Sequence, residues 1–380
     1  MKKKDVSKAA LALHKKLGGK IRIVPAAPVK NRADLSLVYT PGVGYVSSFV
    51  AKNKNLAREY TMKGRMVAVI SDGSAVLGLG NIGALGALPV MEGKCALFKT
   101  FADVDAVPIV LDTQDPEKIV ETIVNIAPAF GGINLEDFAA PKCFDIERRI
   151  IEKLDIPVMH DDQHGTAVVV LAGLLNALKV VKKKLETVHI VISGAGAAGT
   201  ATAHLLRKAG ARHILMIDSK GIIGIHRNDL SRHKTELAGF TNPEDKQGNL
   251  QTALKGADVL IGVSGPGLAT AADIKLMAQN SIVFALANPT PEIMPDEAKK
   301  GGAAVIATGR SDFPNQVNNS LAFPGIFRGA LDNRVRKITD DMKMKAAKAI
   351  ANLVAKPTAQ KILPDMFDKR VAPAVAKVIR

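Results

Sequence analysis

Three groups of residues in this 380-residue chain have types and spacings suited to chemistry. The first is Gly194-Ala195-Gly196-Ala197-Ala198-Gly199, a G-x-G-x-x-G run that follows the apolar stretch Val188–Ser193 and opens a helical pattern. In that setting Gly194 makes a tight turn, Gly196 lets a pyrophosphate approach the backbone, and Gly199 allows helix and strand to pack closely. The helix N-terminus adds free N–H groups and the positive end of its dipole. Asp218 closes the next strand, 19 residues past Gly199, where a carboxylate takes the adenosine ribose hydroxyls. Together these features predict a dinucleotide site. Asp218 repels a 2′-phosphate and favours NAD, whereas Lys220, two residues on, would admit NADP.

The second group is acidic: Glu136 and Asp137 in Leu135–Phe138, and Asp161 and Asp162 in Met159–Thr166. Carboxylates are the ligands that hard divalent cations such as Mg²⁺ take. Adjacent acids with apolar flanks suit such a role better than a solvated surface. Each pair alone also has a structural reading, since Asp161 and Asp162 precede a helical pattern and could cap it. The third group is Tyr39 and Lys94, each in a turn-rich setting and unremarkable alone. A glycine-rich loop, Ser71–Gly83, indicates only a backbone that comes close to something.

Short apolar runs alternating with helical patterns must position these residues. Strands are predicted at Val188–Ser193, Arg212–Asp218, Ala257–Val263, Ser281–Ala287 and Ala303–Thr308, with a helix at Thr200–Ala209. That pattern predicts a parallel sheet covered on both faces, a doubly wound Rossmann-type α/β domain. The first part of the chain mixes types: an amphipathic helix over Val6–Leu17, strands at Met66–Ser71 and Val107–Leu111, and a helix over Ile146–Leu154. A longer helix, Thr166–Lys182, bridges the two parts. Helices at Ile326–Val335 and Thr339–Val354 form a tail that could rest on the first domain or on a second subunit. The expected division is an N-terminal α/β catalytic domain over 1–164, a dinucleotide domain over 165–330 and a helical tail over 331–380.

Composition narrows the function. The net charge of +16 comes from 36 lysines and 16 arginines set against 36 acids, but the lysines are dispersed. With no Trp and three Tyr there is no stacking platform, so nucleic acid is not the expected partner. Two cysteines exclude a disulfide scaffold and fit a reducing, cytoplasmic setting. Without a run of 18 apolar residues or a secretory h-region, no membrane partner is expected.

Taken in order, the motifs resemble those of malic enzymes in their short bacterial form. The matching segments are SLVYTPGV (36–43), SDGSAVLGLGNIG (71–83), LPVMEGK (88–94), INLEDF (133–138), HDDQHGTA (160–167), GAGAAG (194–199), FALANPTPE (284–292) and QVNNSLAFPG (316–325), spread over about 290 residues. The resemblance implies oxidation and decarboxylation of L-malate to pyruvate and CO₂ with NAD(P)⁺ and Mg²⁺ or Mn²⁺, by a homodimer. It implies Lys94 as general base, Tyr39 as general acid, and Asp161 as support for the lysine. Glu136, Asp137 and Asp162 become metal ligands. Asn288 contacts nicotinamide or substrate, and Asn318 and Asn319 bind the substrate carboxylate. One departure stands out: larger malic enzymes carry an arginine for that carboxylate where this chain has Ala75. The regulatory-site sequences of the larger enzymes are not apparent either.

Overall fold

The structure is a computed structural model that describes residues 3–76 and 78–380. Leu77 of the glycine-rich loop and the first two residues of the basic N-terminus lie outside the described residues. Two parallel sheets divide the chain. The first holds β1 (Met66–Ser71), β2 (Asp105–Val110), β3 (Gly132–Leu135) and β4 (Val158–His160) in the order β2-β1-β3-β4. The second holds β5 (His189–Ser193), β6 (His213–Asp218), β7 (Gly221–Ile222), β8 (Val259–Gly262), β9 (Ile282–Ala285) and β10 (Val305–Thr308) in the order β10-β9-β8-β5-β6-β7. Only β7 runs antiparallel. Strand order reverses between β5 and β8, the switch point at which doubly wound folds bind ligands.

Both sheets are buried on both faces, which explains why their strands read as unbroken apolar runs. In β1, Val67 and Val69 enter the central core, while Ala68 and Ile70 face a second cluster under the outer helices. In β5, Ile190 and Ile192 join the central core and Val191 turns to the opposite side. The core therefore lies between the sheets, and helix Asp161–Val181 runs through it. By length and composition that helix is apolar enough to cross a membrane, but 67% of its most apolar stretch is buried in the protein. A helix apolar all round in a folded core is the expected counterpart of a buried site.

The first sheet is fuller than its sequence suggests. β3 and β4 are four and three residues long, too short to stand out among neighbouring turns. The bridging helix also begins five residues before the predicted Thr166. Asp161 and Asp162 occupy its first turn, with His160 as N-cap.

The C-terminal segment rests on its own chain. Asn176, buried in the central helix, donates from Nδ2 to the carbonyls of Ala351 (2.8 Å) and Ile362 (2.9 Å). Helices Asp340–Asn352 and Val371–Ala376 carry Ala346, Ile350 and Val375 into the central core. The N-terminal segment differs. Helices Arg32–Val38 and Gly42–Lys52 bury no residue, and Tyr45, Phe49 and Leu37 are exposed. The segment is fastened by the Lys20 N–H to Glu92 (2.9 Å) and by Arg58 to the Gly131 carbonyl (3.2 Å).

Candidate active site

The site forms where strand ends of both sheets meet the central helix. β3 ends at Leu135, so Glu136 and Asp137 leave its C-terminal edge, and β4 ends at His160, so Asp161 and Asp162 leave the next. Adjacent parallel strands bring the two acidic pairs together. Lys94 comes from helix Gly83–Ala102. Its Nζ lies 2.5 Å from Asp161 Oδ2 and 2.8 Å from Glu136 Oε1, and 4.3 Å from the centroid of the Phe323 ring. Glu136 Oε2 accepts from Asn134 Nδ2 at 2.9 Å.

Asp137 adopts φ +57°, a left-handed conformation uncommon outside glycine. Two contacts hold it there. Its N–H donates to Asp162 Oδ2 (2.7 Å), and its carbonyl accepts from the Ala75 N–H of the glycine-rich loop (2.9 Å). Gly165 lets Asp161 fold back over the helix, since a Cβ there would stand 1.8 Å from Asp161 Oδ1.

Carboxylate oxygens of Glu136, Asp137 and Asp162 lie within 4.8 Å of one another. These are hard oxygen donors of the kind that bind Mg²⁺ or Mn²⁺. With Asp161 they set four carboxylates against one ammonium. Burial pushes Glu136 and Asp161 up to about 7, with Lys94 opposing the rise. Burial also pushes Asp162 up to about 6. Such a buried surplus of negative charge is costly unless a cation meets it. The residues present thus fit a divalent ion.

The electrostatics of Lys94 run against the lowering that a base lysine needs. Burial pulls it down, but Asp161, Glu136 and Asp162 together hold it well above the usual lysine range. Among these acids the protein favours Lys94 as an ammonium.

In front of this cluster lies a cleft of about 640 Å³, bordered by Ala75, Asp162, Asn288, Asn318 and Asn319. Its opposite wall is the G-x-G-x-x-G turn, through Gly196, Ala197 and Ala198. Gly196 caps helix Ala197–Lys208, whose N-terminus points into the site. Gly199 is buried one turn further on; a Cβ there would lie 1.8 Å from the Gly194 carbonyl oxygen. Asn288 precedes a cis Asn288–Pro289 bond, and Asn318 Oδ1 accepts from Ser320 N (2.9 Å) and Oγ (2.7 Å).

Gly194, Ala195 and Gly196 also border a second cavity, of about 1370 Å³, which contains Asp218. Asp218 is already paired there, to Arg227 Nη1 (2.8 Å), to Lys234 Nζ (2.5 Å) and to the Lys220 N–H (2.9 Å). Against burial, Arg227 and Lys234 hold it below the usual carboxylate range.

One predicted residue is not brought to the cluster. Tyr39 ends helix Arg32–Val38, is 65% exposed, and does not border the cleft. Others were not foreseen. Asn134 and Phe323 fall inside matching motifs (133–138 and 316–325) but carry no signal of their own. Arg227 and Lys234 lie 9 and 16 residues after Asp218, and only the fold around β6 and β7 brings them to it.

Comparison with known proteins places the chain beside one family. Residues 18–151 match the domain described as "Malic enzyme, N-terminal domain", and residues 163–379 match "Malic enzyme, NAD binding domain". A bifunctional malic/malolactic enzyme of Bacillus subtilis is 54% identical over 97% of this chain and 91% of its own length. An NAD-dependent malic enzyme of Geobacillus stearothermophilus is 53% identical over 99% of this chain and 78% of its own. The crystal structure of the NAD-dependent malic enzyme of Thermotoga maritima superposes with a TM-score of 0.94 at 49% identity, covering 97% of this chain and 98% of that one. An acid cluster at paired strand ends, a buried lysine and a dinucleotide turn across one cleft are thus found in a chain that belongs to the malic enzyme family.

Proposed function

We propose that this enzyme oxidises and decarboxylates L-malate to pyruvate and CO₂, using NAD⁺ and accepting NADP⁺, with Mg²⁺ or Mn²⁺. The observation that carries this reading is Lys94, held between Asp161 and Glu136 directly behind a cleft whose far wall is the dinucleotide turn. Glu136, Asp137 and Asp162 would hold the metal, which when bound supplies Lewis-acid stabilisation of enolate charge. The nicotinamide ring supplies the hydride acceptor for C2. Lys94 takes the proton from the malate C2 hydroxyl. To do so it must first shed its own, and Asp161 stands ready to accept it: Oδ2 touches the ammonium and the buried Oδ1 has no hydrogen-bond partner. Asn319 and Asn318 orient the substrate carboxylate, and Asn288 the nicotinamide end of the cleft.

Tyr39 is assigned the proton delivered to C3, and its exposure supports a step shared between two copies of the chain. The segment containing it leaves Val24, Leu37, Tyr45 and Phe49 in solvent. A homodimer covers this apolar surface and carries Tyr39 of the partner subunit toward the cleft. A cation from that segment would also serve where Ala75 replaces arginine, since no lysine or arginine borders the cleft among the described residues. The buried free thiols Cys95 and Cys143 suit a cytoplasmic protein.

The test is NAD(P)H absorbance with L-malate and Mn²⁺, each cofactor in turn, for wild type and Lys94→Ala. Turnover by wild type that EDTA abolishes is expected, with a loss of about 10³-fold in the variant. A metal-loaded wild type that is silent with both cofactors would sink the assignment.

A further inference from the structure

Behind the acid cluster lies a buried polar network that the reaction described above does not use. Its centre is Glu147, on helix Lys142–Lys153, only 5% exposed. Oε1 accepts the backbone N–H of His160 at 2.7 Å. Oε2 accepts from Gln163 Nε2 and from His164 Nε2, each at 3.0 Å. His160 is the N-cap of the central helix, and Gln163 and His164 lie in its opening turns. One carboxylate thus satisfies the entrance of the helix that carries Asp161 and Asp162, as an N-cap side chain would, but from a different helix.

Two chains of contact lead outward from it. In the first, Gln163 Nε2 also donates to His160 Nδ1 (3.0 Å), which leaves the proton on His160 Nε2, an atom 3.3 Å from Asp162 Oδ2 but without a hydrogen bond to it. In the second, His164 Nδ1 accepts from Lys343 Nζ at 3.0 Å, and Lys343, 7% exposed, also touches Asp340 Oδ1 at 3.2 Å. Lys343 belongs to the C-terminal helix Asp340–Asn352. Hydrogen bonds therefore run from the C-terminal segment, through His164, Glu147 and Gln163, to the His160 ring, which packs 3.3 Å from the carboxylate of Asp162.

Its hydrogen-bond polarity has one solution. Lys343 can only donate, so His164 accepts at Nδ1 and carries its proton on Nε2, aimed at Glu147. Gln163 also donates to Glu147. All three groups around that carboxylate are donors, so the position needs an acceptor on both oxygens. An amide cannot provide this, because its NH₂ would face one of the donors.

We propose that Glu147 is a positioning residue for the metal site: it fixes the helix entrance and the His160 ring so that Asp162 presents its carboxylate to the cation, with Lys343 completing the brace. Partners that orient a ligating carboxylate tune metal affinity without touching the metal. Glu147 is held fully ionised for this role. Burial pushes its carboxyl up, but His164, Lys343 and His160 outweigh that and set it at about 2.

The inference rests on the proposed metal reading, and the experiment separates the two. Mn²⁺ is titrated into the full-length protein and free ion is followed by its electron paramagnetic resonance signal. NADH affinity is read in parallel from fluorescence. Glu147→Gln is expected to weaken Mn²⁺ binding by about tenfold and lower kcat similarly, with NADH affinity unchanged. Lys343→Met is expected to shift Mn²⁺ affinity in the same direction by less, and Glu147→Asp to recover part of the loss. Wild-type Mn²⁺ affinity in both Glu147→Gln and Lys343→Met would overturn the proposal while leaving the metal site intact. Failure of wild type to bind Mn²⁺ would overturn both readings. If Glu147→Gln does not fold, Lys343→Met decides alone.

Discussion

The surroundings of single residues set what each can do here. Asp218 was expected to select NAD by offering a free carboxylate to the ribose. Instead it faces Arg227, which it shares with Asp229, and Lys234 in direct contact, so its carboxylate is already engaged within the cavity. A 2′-phosphate entering that cavity would meet Lys220, Arg227 and Lys234 beside Asp218 and Asp229, a surplus of one cation that supports the proposed use of NADP⁺. Lys234→Ala is therefore expected to reduce kcat/KM for NADP⁺ by about tenfold, a loss on the scale of one charge-assisted hydrogen bond. The value for NAD⁺ should change little or improve as Asp218 is freed. Steady-state kinetics with both cofactors checks this; equal losses would show that Lys234 serves the fold and not the choice.

Elements govern how closely the acids can approach. Gly165 sits in the second turn of the central helix, where alanine would normally stabilise by about 1 kcal/mol. Here the Cβ would collide with Asp161 Oδ1 at 1.8 Å and crowd Asn319 Cβ at 3.2 Å. Gly165→Ala is expected to keep the fold and lose about a hundredfold in turnover, as displacements near one ångström do. Near-normal turnover would show that Asp161 need not lie where it does.

The helix that carries Glu147 makes a second claim, about acid. The folded value of about 2 lies below the ordinary 4.5, so its contribution is complete above about pH 4.5 and disappears as pH falls toward 2. The shift corresponds to about 3 kcal/mol. Urea unfolding at pH 6, 4.5 and 3 should show wild type losing stability faster over the lower interval than Glu147→Gln. Parallel curves would contradict the pairing.

For the whole molecule, the open question is one of completeness. A site whose proposed acid is 65% exposed and away from its base must be closed by something, and an apolar segment left in solvent must be covered by something. The proposed homodimer would answer both. Lys94→Ala and Tyr39→Phe are each expected to be nearly inactive as purified, and light scattering should give twice the chain mass for both. When the two are co-expressed, half the dimers are mixed and one site in each mixed dimer is whole. About a quarter of wild-type activity should return. No recovery would place Tyr39 in its own chain's site or outside the reaction.

Much of this protein was legible in the linear sequence, and what was legible is local. The dinucleotide turn could be read because strand, glycines, helix and acid follow one another within 31 residues, and each part owes its form to its immediate neighbours. The buried strands of the second sheet could be read because both faces are covered, so their apolar runs have no gaps. The ordered motifs carried the family and the identities of Lys94, Glu136, Asp137, Asp161 and Asp162. Only the tertiary structure decided what depends on distance. β3 and β4 are too short to announce themselves, yet their pairing is what brings two acidic dipeptides to one point. Asp218 gained Arg227 and Lys234, Lys94 gained Phe323, and Glu147 gained the entrance of another helix, each through contacts between separate elements. The protonation of Lys94 was likewise beyond the sequence, because a pKa is set by burial and by every charge within a few ångströms, and those neighbours exist only after folding.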